Sequence, residues 1–309
     1  MKNAPVRIGT SLRSGYPVGD ARTGARWMVE RAAAARAAGL DSLFVGDHHL
    51  AGAYYQNSPI MGRLLAEWDD RLCGALYLLA LWHPVLLAEQ VATLAAVARG
   101  PFVLQVALGG GDAQFAGMGV PLRRRLALFE STLDVVRRLL AGETVDADTP
   151  VTIRGAHVGL RPPQPVPVWI GAGVPAAIDR AARLGDGWIA GPSVTAAEAR
   201  DQLGVYLAAS DRYGRPPGTI AIRRDIHIGA DAADAGRVAG PVVAAGYRGL
   251  PPEALVVGGP DHVAERFEEL FALGYTDVLV RHLADDHHEV LASFARLGEI
   301  RRRLAGTSN

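Results

Sequence analysis

The chain has 309 residues, 49% of them apolar and 21% charged, a composition typical of a globular protein able to bury a sizeable core. Its 32 basic and 32 acidic side chains cancel, so no basic field exists to hold nucleic acid or an anionic membrane. Cys73 is the only cysteine, which excludes a disulfide framework or a thiolate metal site and leads us to expect a cytoplasmic protein.

The opening "MKNAPVRIGTSL" lacks the apolar core of a signal peptide, and within it "VRIGTSL" reads as a first strand. The alanine-rich "ARWMVERAAAARAAG" is a helix closed by Gly39, and "DSLFVG" is the second strand. "RLCGALYLLA" is the third. The apolar stretch "LCGALYLLALWHPVLLA" is broken by His83 and Pro84 and is shorter than the ~20 residues of a membrane span; Pro84 instead opens the helix "PVLLAEQVATLAAVA". "PFVLQVAL" is the fourth strand, and a glycine-rich loop follows it. In "PLRRRLALFESTLDVVRRLL", Leu122, Leu126, Phe129, Leu133, Val136 and Leu140 repeat at helical spacing, so this helix covers its neighbours with one face.

"VTIRGAHVGLRPPQP" breaks the rhythm as a small hairpin or extended excursion. The alternation then resumes through the strand "VPVWIG", the helix "PAAIDRAARLG", the strand "DGWIAG" and a helix running to Tyr213. "TIAIRRDIHIG", "VVGGPDHVAERFEELFALG", "TDVLVRH" and "HHEVLASFARLGEIRRRLA" complete it. Residues 230–252, rich in Ala, Gly and Pro, read as a mobile insertion. About eight strand–helix units without a change of composition predict one (β/α)8 TIM barrel domain with insertions over residues 1–309. A doubly wound dinucleotide-binding sheet is the rival. Gly171, Gly173 and Ala176 satisfy G-x-G-x-x-[GA], but in the fifth unit, and the acidic residue expected ~20 positions on is missing, Asp186 coming too early.

In a barrel the chemistry sits at the carboxyl ends of strands, and "LFVGDHHL" ends its strand on Asp47, His48 and His49. Successive side chains point to opposite faces, so the two histidines are not expected to chelate one ion. Asp285, Asp286, His287 and His288 read as the solvated start of the last helix, and no metal site is expected. An imidazole with an unperturbed pKa near ~6.5 can exchange a proton around neutrality, which makes His48 a candidate acid–base group.

Five segments together resemble the bacterial luciferase-like superfamily of flavin- and deazaflavin-dependent oxidoreductases. They are "AAGLDSLFVGDHH", "HPVLLAEQVATLAAVARGPFVLQVALGGG", "FESTLDVVRRLLAGE", "PVPVWIGAGVPAAIDRAARLGDGWIAG" and "GGPDHVAERFEELFALGYTDVLV". The resemblance implies a flavin at the carboxyl-end mouth of the barrel, a small-molecule substrate and a homodimer. It assigns His48 the place beside the reactive ring, with Asp47 as the acid before it, contributing to catalysis and cofactor contact. Leu76 and Tyr77 would form a bulge with a non-proline cis peptide under the ring. Gly109 and Gly110 would form a cofactor loop, and Gly171, Ala172, Gly173, Ala190 and Gly191 two further contacting strand ends. Leu108 departs from the polar residue often found at its position. With Lys2 the only lysine, an anionic group would have to use arginine, for example Arg223 or Arg224. The implied activity is coenzyme F420-dependent hydride transfer. FMN-dependent monooxygenation is the alternative, and a non-catalytic flavin-binding protein the second class. "LRSGYP" and "LAGAYYQNSP" are expected to line the substrate pocket, with Tyr54 and Tyr55 as stacking candidates.

Overall fold

Parallel strands covered on both faces need apolar runs, and "LFV" is such a run in a strand, Ser42–Val45, that is buried along its whole length. The computed structural model describes residues 6–50 and 52–306. In chain order the elements are β1 Arg7–Leu12, α1 Ala21–Ala37, β2 Ser42–Val45, α2 Asn57–Leu64, β3 Leu72–Leu78, α3 Pro84–Val97, β4 Phe102–Ala107, α4 Asp112–Gly117 and α5 Arg125–Ala141. There follow β5 Val145–Ala147, β6 Ile153–Ala156, β7 Val168–Gly171, α6 Pro175–Leu184, β8 Gly187–Ala190, α7 Ala196–Arg212, β9 Thr219–Ile228, α8 Ala232–Ala244, β10 Val256–Gly258, α9 Pro260–Leu273, β11 Asp277–His282 and α10 His287–Gly306. The main sheet runs β10-β9-β11-β1-β2-β3-β4-β7-β8, and β9 also pairs with β8. That pairing closes eight strands into a parallel barrel, with β10 appended to β9 and β5–β6 a separate antiparallel hairpin.

Two compact units make up the chain. One comprises residues up to Arg13, Pro17–Phe44 and everything from Trp169 onward. In it β1 pairs with β11 from Arg7↔Asp277 to Thr10↔Val280, and Asp277 accepts two hydrogen bonds from the Arg7 guanidinium at 2.6 and 2.9 Å. Trp188 stacks on Tyr206 at 5.0 Å, while the Tyr275 hydroxyl donates to Ala199 O. The other unit comprises Ser14–Tyr16 and Val45–Val168. Here β3 pairs with β4 from Cys73↔Phe102 to Leu78↔Ala107. Cys73 is fully buried, its thiol directed at Pro101 O and pushed up to about 12 by burial.

Four expectations need correction. Among the described residues the one cis peptide is Thr149–Pro150, so the Leu76–Tyr77 bond is trans. Through both residues β3 stays in regular register with β4, because ladder bonds and an Asn57 side chain bonded to Leu76 O hold the strand straight without a bulge. Residues 232–244 of the expected insertion form α8: Asp231 caps it by accepting from Asp234 N at 2.8 Å, and its alanines favour the helix despite Pro241. His287 is not solvated but buried, stacked on Trp27 at 4.8 Å with its Nε2 2.6 Å from Glu30. Leu126, in the first turn of α5, is exposed, whereas Phe129, Leu133 and Val136 are buried as the periodicity required.

Candidate active site

The site begins where β2 ends. Asp47 is only 3% exposed, and its Oδ2 accepts from Leu78 N and Trp82 Nε1, each at 2.8 Å. Burying a carboxylate is costly without such donors, and these two bind the end of β2 to the end of β3. Asp47 Oδ1 lies 3.1 Å from His49 Nε2, an approach bent away from hydrogen-bond geometry but close enough for charge attraction. Asp47 therefore holds the His49 imidazole above its usual range, against the burial that would lower it. The His49 N–H donates to Gln114 Oε1 at 2.9 Å, and the ring sits edge-on to Trp82 at 5.7 Å.

His48 turns the other way, as strand alternation dictates. Its Nδ1 lies 3.1 Å from the hydroxyl of Ser14, and its ring stacks on Tyr54 with centroids 4.5 Å apart. Ser14 is itself fully buried, and its carbonyl accepts from Tyr55 N at 2.7 Å, so the loop after β1 and the loop after β2 are laced together around the imidazole. Gln56 Nε2 donates to His48 O. Nε2 is the ring nitrogen that Ser14 does not engage. The two histidines thus have separate surroundings, and among the described residues no group of three or more His, Cys, Asp or Glu could hold a metal ion.

Beyond β4 the chain turns through Gly109 (φ 70) and Gly111 (φ 91), left-handed conformations that favour glycine. A Cβ added at Gly110 or Gly111 would meet no atom within 4 Å, so the backbone of this loop is open to approach. Gln114 donates to Gly110 O at 3.2 Å while accepting from His49 N, which joins the glycine loop to the acid–histidine turn. Tyr77 packs behind Trp82. It is fully buried, its hydroxyl 3.0 Å from Ser58 Oγ and its ring edge-on to Trp82, and burial raises its pKa. Leu76 is half-buried.

The remaining strand-end residues belong to the other unit. Ala172 N donates to Ile189 O at 3.1 Å and Ala172 O accepts from Trp188 Nε1 at 2.9 Å, so both its main-chain groups are engaged internally. Gly171 and Gly191 are half-buried, Ala190 is buried, and a Cβ on the exposed Gly173 would meet nothing within 4 Å. Ser14, Trp82 and Gln114 were not singled out from the sequence. Ser14 lies inside "LRSGYP", but the bonds that give these three their places span 34, 35 and 65 positions, and no local spacing signals them.

A family model described as luciferase-like monooxygenase matches residues 6–254. The chain belongs to the luciferase-like monooxygenase family. Within the reach of this family, it is 33% identical over 190 residues to the F420-dependent glucose-6-phosphate dehydrogenase of Beutenbergia cavernae. That alignment covers 58% of this chain and 56% of the relative, so the match spans a little over half the relative's length. Among solved structures, monooxygenase RslO1 from Streptomyces bottropensis superposes with a TM-score of 0.81 at 19% identity, covering 95% of this chain and 98% of that one. The oxygenating constituent of 3,6-diketocamphane monooxygenase from Pseudomonas putida, in complex with FMN, gives 0.75 at 16% identity, covering 95% and 97%. Likeness at these identities bears on the fold of the family.

Proposed function

We propose that this luciferase-like protein is an oxidoreductase that works with coenzyme F420 and moves a hydride to or from a small organic substrate. The observation that carries the reading is the half-buried His48, fixed through Nδ1 by a buried serine and stacked on Tyr54 at the end of a barrel strand. The F420-dependent relative supports this choice of cofactor. FMN-dependent monooxygenation is the second reading, favoured by the double histidine and by the FMN-bound structural neighbour.

Open glycine backbone suits the phosphate-bearing tail of such a cofactor. The open backbone at Gly110 and Gly111 lets N–H groups approach an anion closely, as does the exposed Gly173 in its own unit. Bound F420 would supply the carbon that takes or gives hydride. His48 would hold or release a proton at Nε2, with Ser14 setting the tautomer by engaging Nδ1. Asp47 and His49 would act as positioning residues, because both Asp47 oxygens face Leu78, Trp82 and His49.

The test is titration of the apoprotein with F420 and with FMN, followed by absorbance and fluorescence, then turnover of His48→Ala. One-site binding of a flavin is expected. The variant should turn over about 10²–10⁴-fold more slowly, the usual contribution of general acid–base catalysis, with cofactor affinity nearly unchanged. Tight binding of NAD(H) with neither flavin bound, or full activity of His48→Ala, would refute the proposal.

A further inference from the structure

The inner ladder of β9 and β11 carries more positive charge than it neutralises. Arg223, Asp225 and Arg281 share one face, since Arg281 is the register partner of Asp225 and Arg223 sits two residues before it. The opposite face is the helix-covered one: there His282 packs on Phe294 of α10 at 4.2 Å. From the segment after α8, Tyr247 and Arg248 reach back to the same place. Asp225 is fully buried and already shared. It accepts from Arg223 at 3.0 and 3.3 Å, from the Tyr247 hydroxyl at 2.9 Å and from Arg248 Nη1 at 3.2 Å.

Arg281 is left over. It is 7% exposed, its Nε is buried without a partner, and its side chain makes no hydrogen bond or ion pair with another described residue. Burial, with the like charges of Arg223 and Arg248, pushes its guanidinium down to about 10, so it remains charged at neutral pH. Three guanidinium groups therefore surround one carboxylate. An uncompensated buried cation works against folding unless something else supplies the counter-charge. Arg248 adds a second sign of a built site: it is held at φ 51, a left-handed conformation that a non-glycine residue keeps only under constraint and that clusters at ligand clamps. Side-chain exposure rises from Arg223 at 20% to Arg248 at 41%, which gives the buried charge a route to solvent.

We propose that Arg281, with Arg223, Arg248 and Tyr247, binds the oxyanion of a small molecule, a carboxylate or a phosphate group. A planar guanidinium offers paired donors matched to either group, and Arg281 has its donors uncommitted. This site stands on its own unit and does not require the flavin reading.

The experiment uses the full chain at constant ionic strength, with inorganic phosphate and malonate as probes and chloride as the reference. Calorimetric titration and thermal midpoints are read for wild type, Arg281→Met and Arg223→Gln. Phosphate or malonate should raise the wild-type midpoint above chloride, and the stronger of the two identifies the group bound. Arg281→Met should bind it about ten- to a hundredfold more weakly, the equivalent of one charged hydrogen bond. Its midpoint without ligand should equal or exceed that of wild type, because an unpaired buried charge has gone; a residue with a purely structural role would lower it. Should Arg281→Met fail to fold, Arg223→Gln carries the test with the same loss of affinity. The proposal is overturned if neither anion exceeds chloride, or if a folded variant keeps wild-type affinity. FMN and F420 titrated into Arg281→Met separate the sources: weakened binding assigns the oxyanion to the cofactor, unchanged binding to a separate molecule. If neither flavin binds wild type, the proposed function fails while the phosphate and malonate titrations still decide this site.

Discussion

Replacing Asp47 separates a positioning role from a catalytic one. In Asp47→Ala the buried Leu78 N–H and the Trp82 indole N–H both lose their acceptor, at 2.8 Å each in the native protein. A buried donor left unsatisfied costs about 1–3 kcal/mol, so the pair accounts for about 2–6 kcal/mol, before the lost attraction to His49 is counted. That is a large share of a typical folding free energy of about 5–15 kcal/mol, yet short of all of it. Asp47→Asn keeps an oxygen where Oδ2 stood and presents an NH₂ towards His49 Nε2, which the neutral imidazole can accept; its loss should be about 1 kcal/mol. Urea unfolding at neutral pH, with slopes compared to confirm two-state behaviour, measures both. With F420 as the cofactor, Asp47→Asn should keep most of the wild-type turnover. The reasoning is refuted if Ala and Asn destabilise equally, or if Asn is fully stable and inactive, since the second result would make Asp47 a proton carrier.

Ser14→Ala removes the group at His48 Nδ1, so turnover should fall about tenfold and its pH profile should shift, with cofactor affinity unchanged and Ser14→Thr restoring part of the loss; an unmoved pH profile would leave Ser14 as packing only. His282 is held well below 6.5, first by burial and then by Arg31 and His227, so the folded chain keeps it neutral while the unfolded chain protonates it. Its contribution to stability is complete above about pH 6.5 and is lost as pH falls below that value. His49, held above its usual range by Asp47, works in the opposite sense: its contribution is complete below about pH 6.5 and is lost as pH rises through the folded-state value. Denaturant midpoints from roughly pH 5 to 8 should show a shallower acid loss in His282→Gln, and an unchanged slope would remove His282 from the account.

The barrel was legible because its strands are short apolar runs and its helices carry local boundary signals, a stop at Gly39 and a start at Pro84. The place of His48 just after β2 was legible for the same reason: a strand end is a local property. Tyr77 shows where local reading stops. Alternation places it on a definite face, but which face meets α2 depends on Ser58 and Trp82, residues 19 positions before and 5 after it. The segment 232–244 misled for a different reason, since Ala, Gly and Pro together suggest a loop, while the Asp231 cap that starts a helix is one side chain among many acids. Arg281 was invisible because its meaning lies in what it does not touch.

Cys73 has a practical consequence. As the sole sulfhydryl, with its sulfur turned inward against Pro101 O, it reacts with a modifying reagent only when the β3–β4 ladder opens. Its labelling rate under native conditions is therefore a clock for that opening, read at one atom without background from any other site. A ligand that grips the turn after β2 would slow the clock through the bond from Asp47 to Leu78, so occupancy could be followed even for a compound with no colour and no turnover.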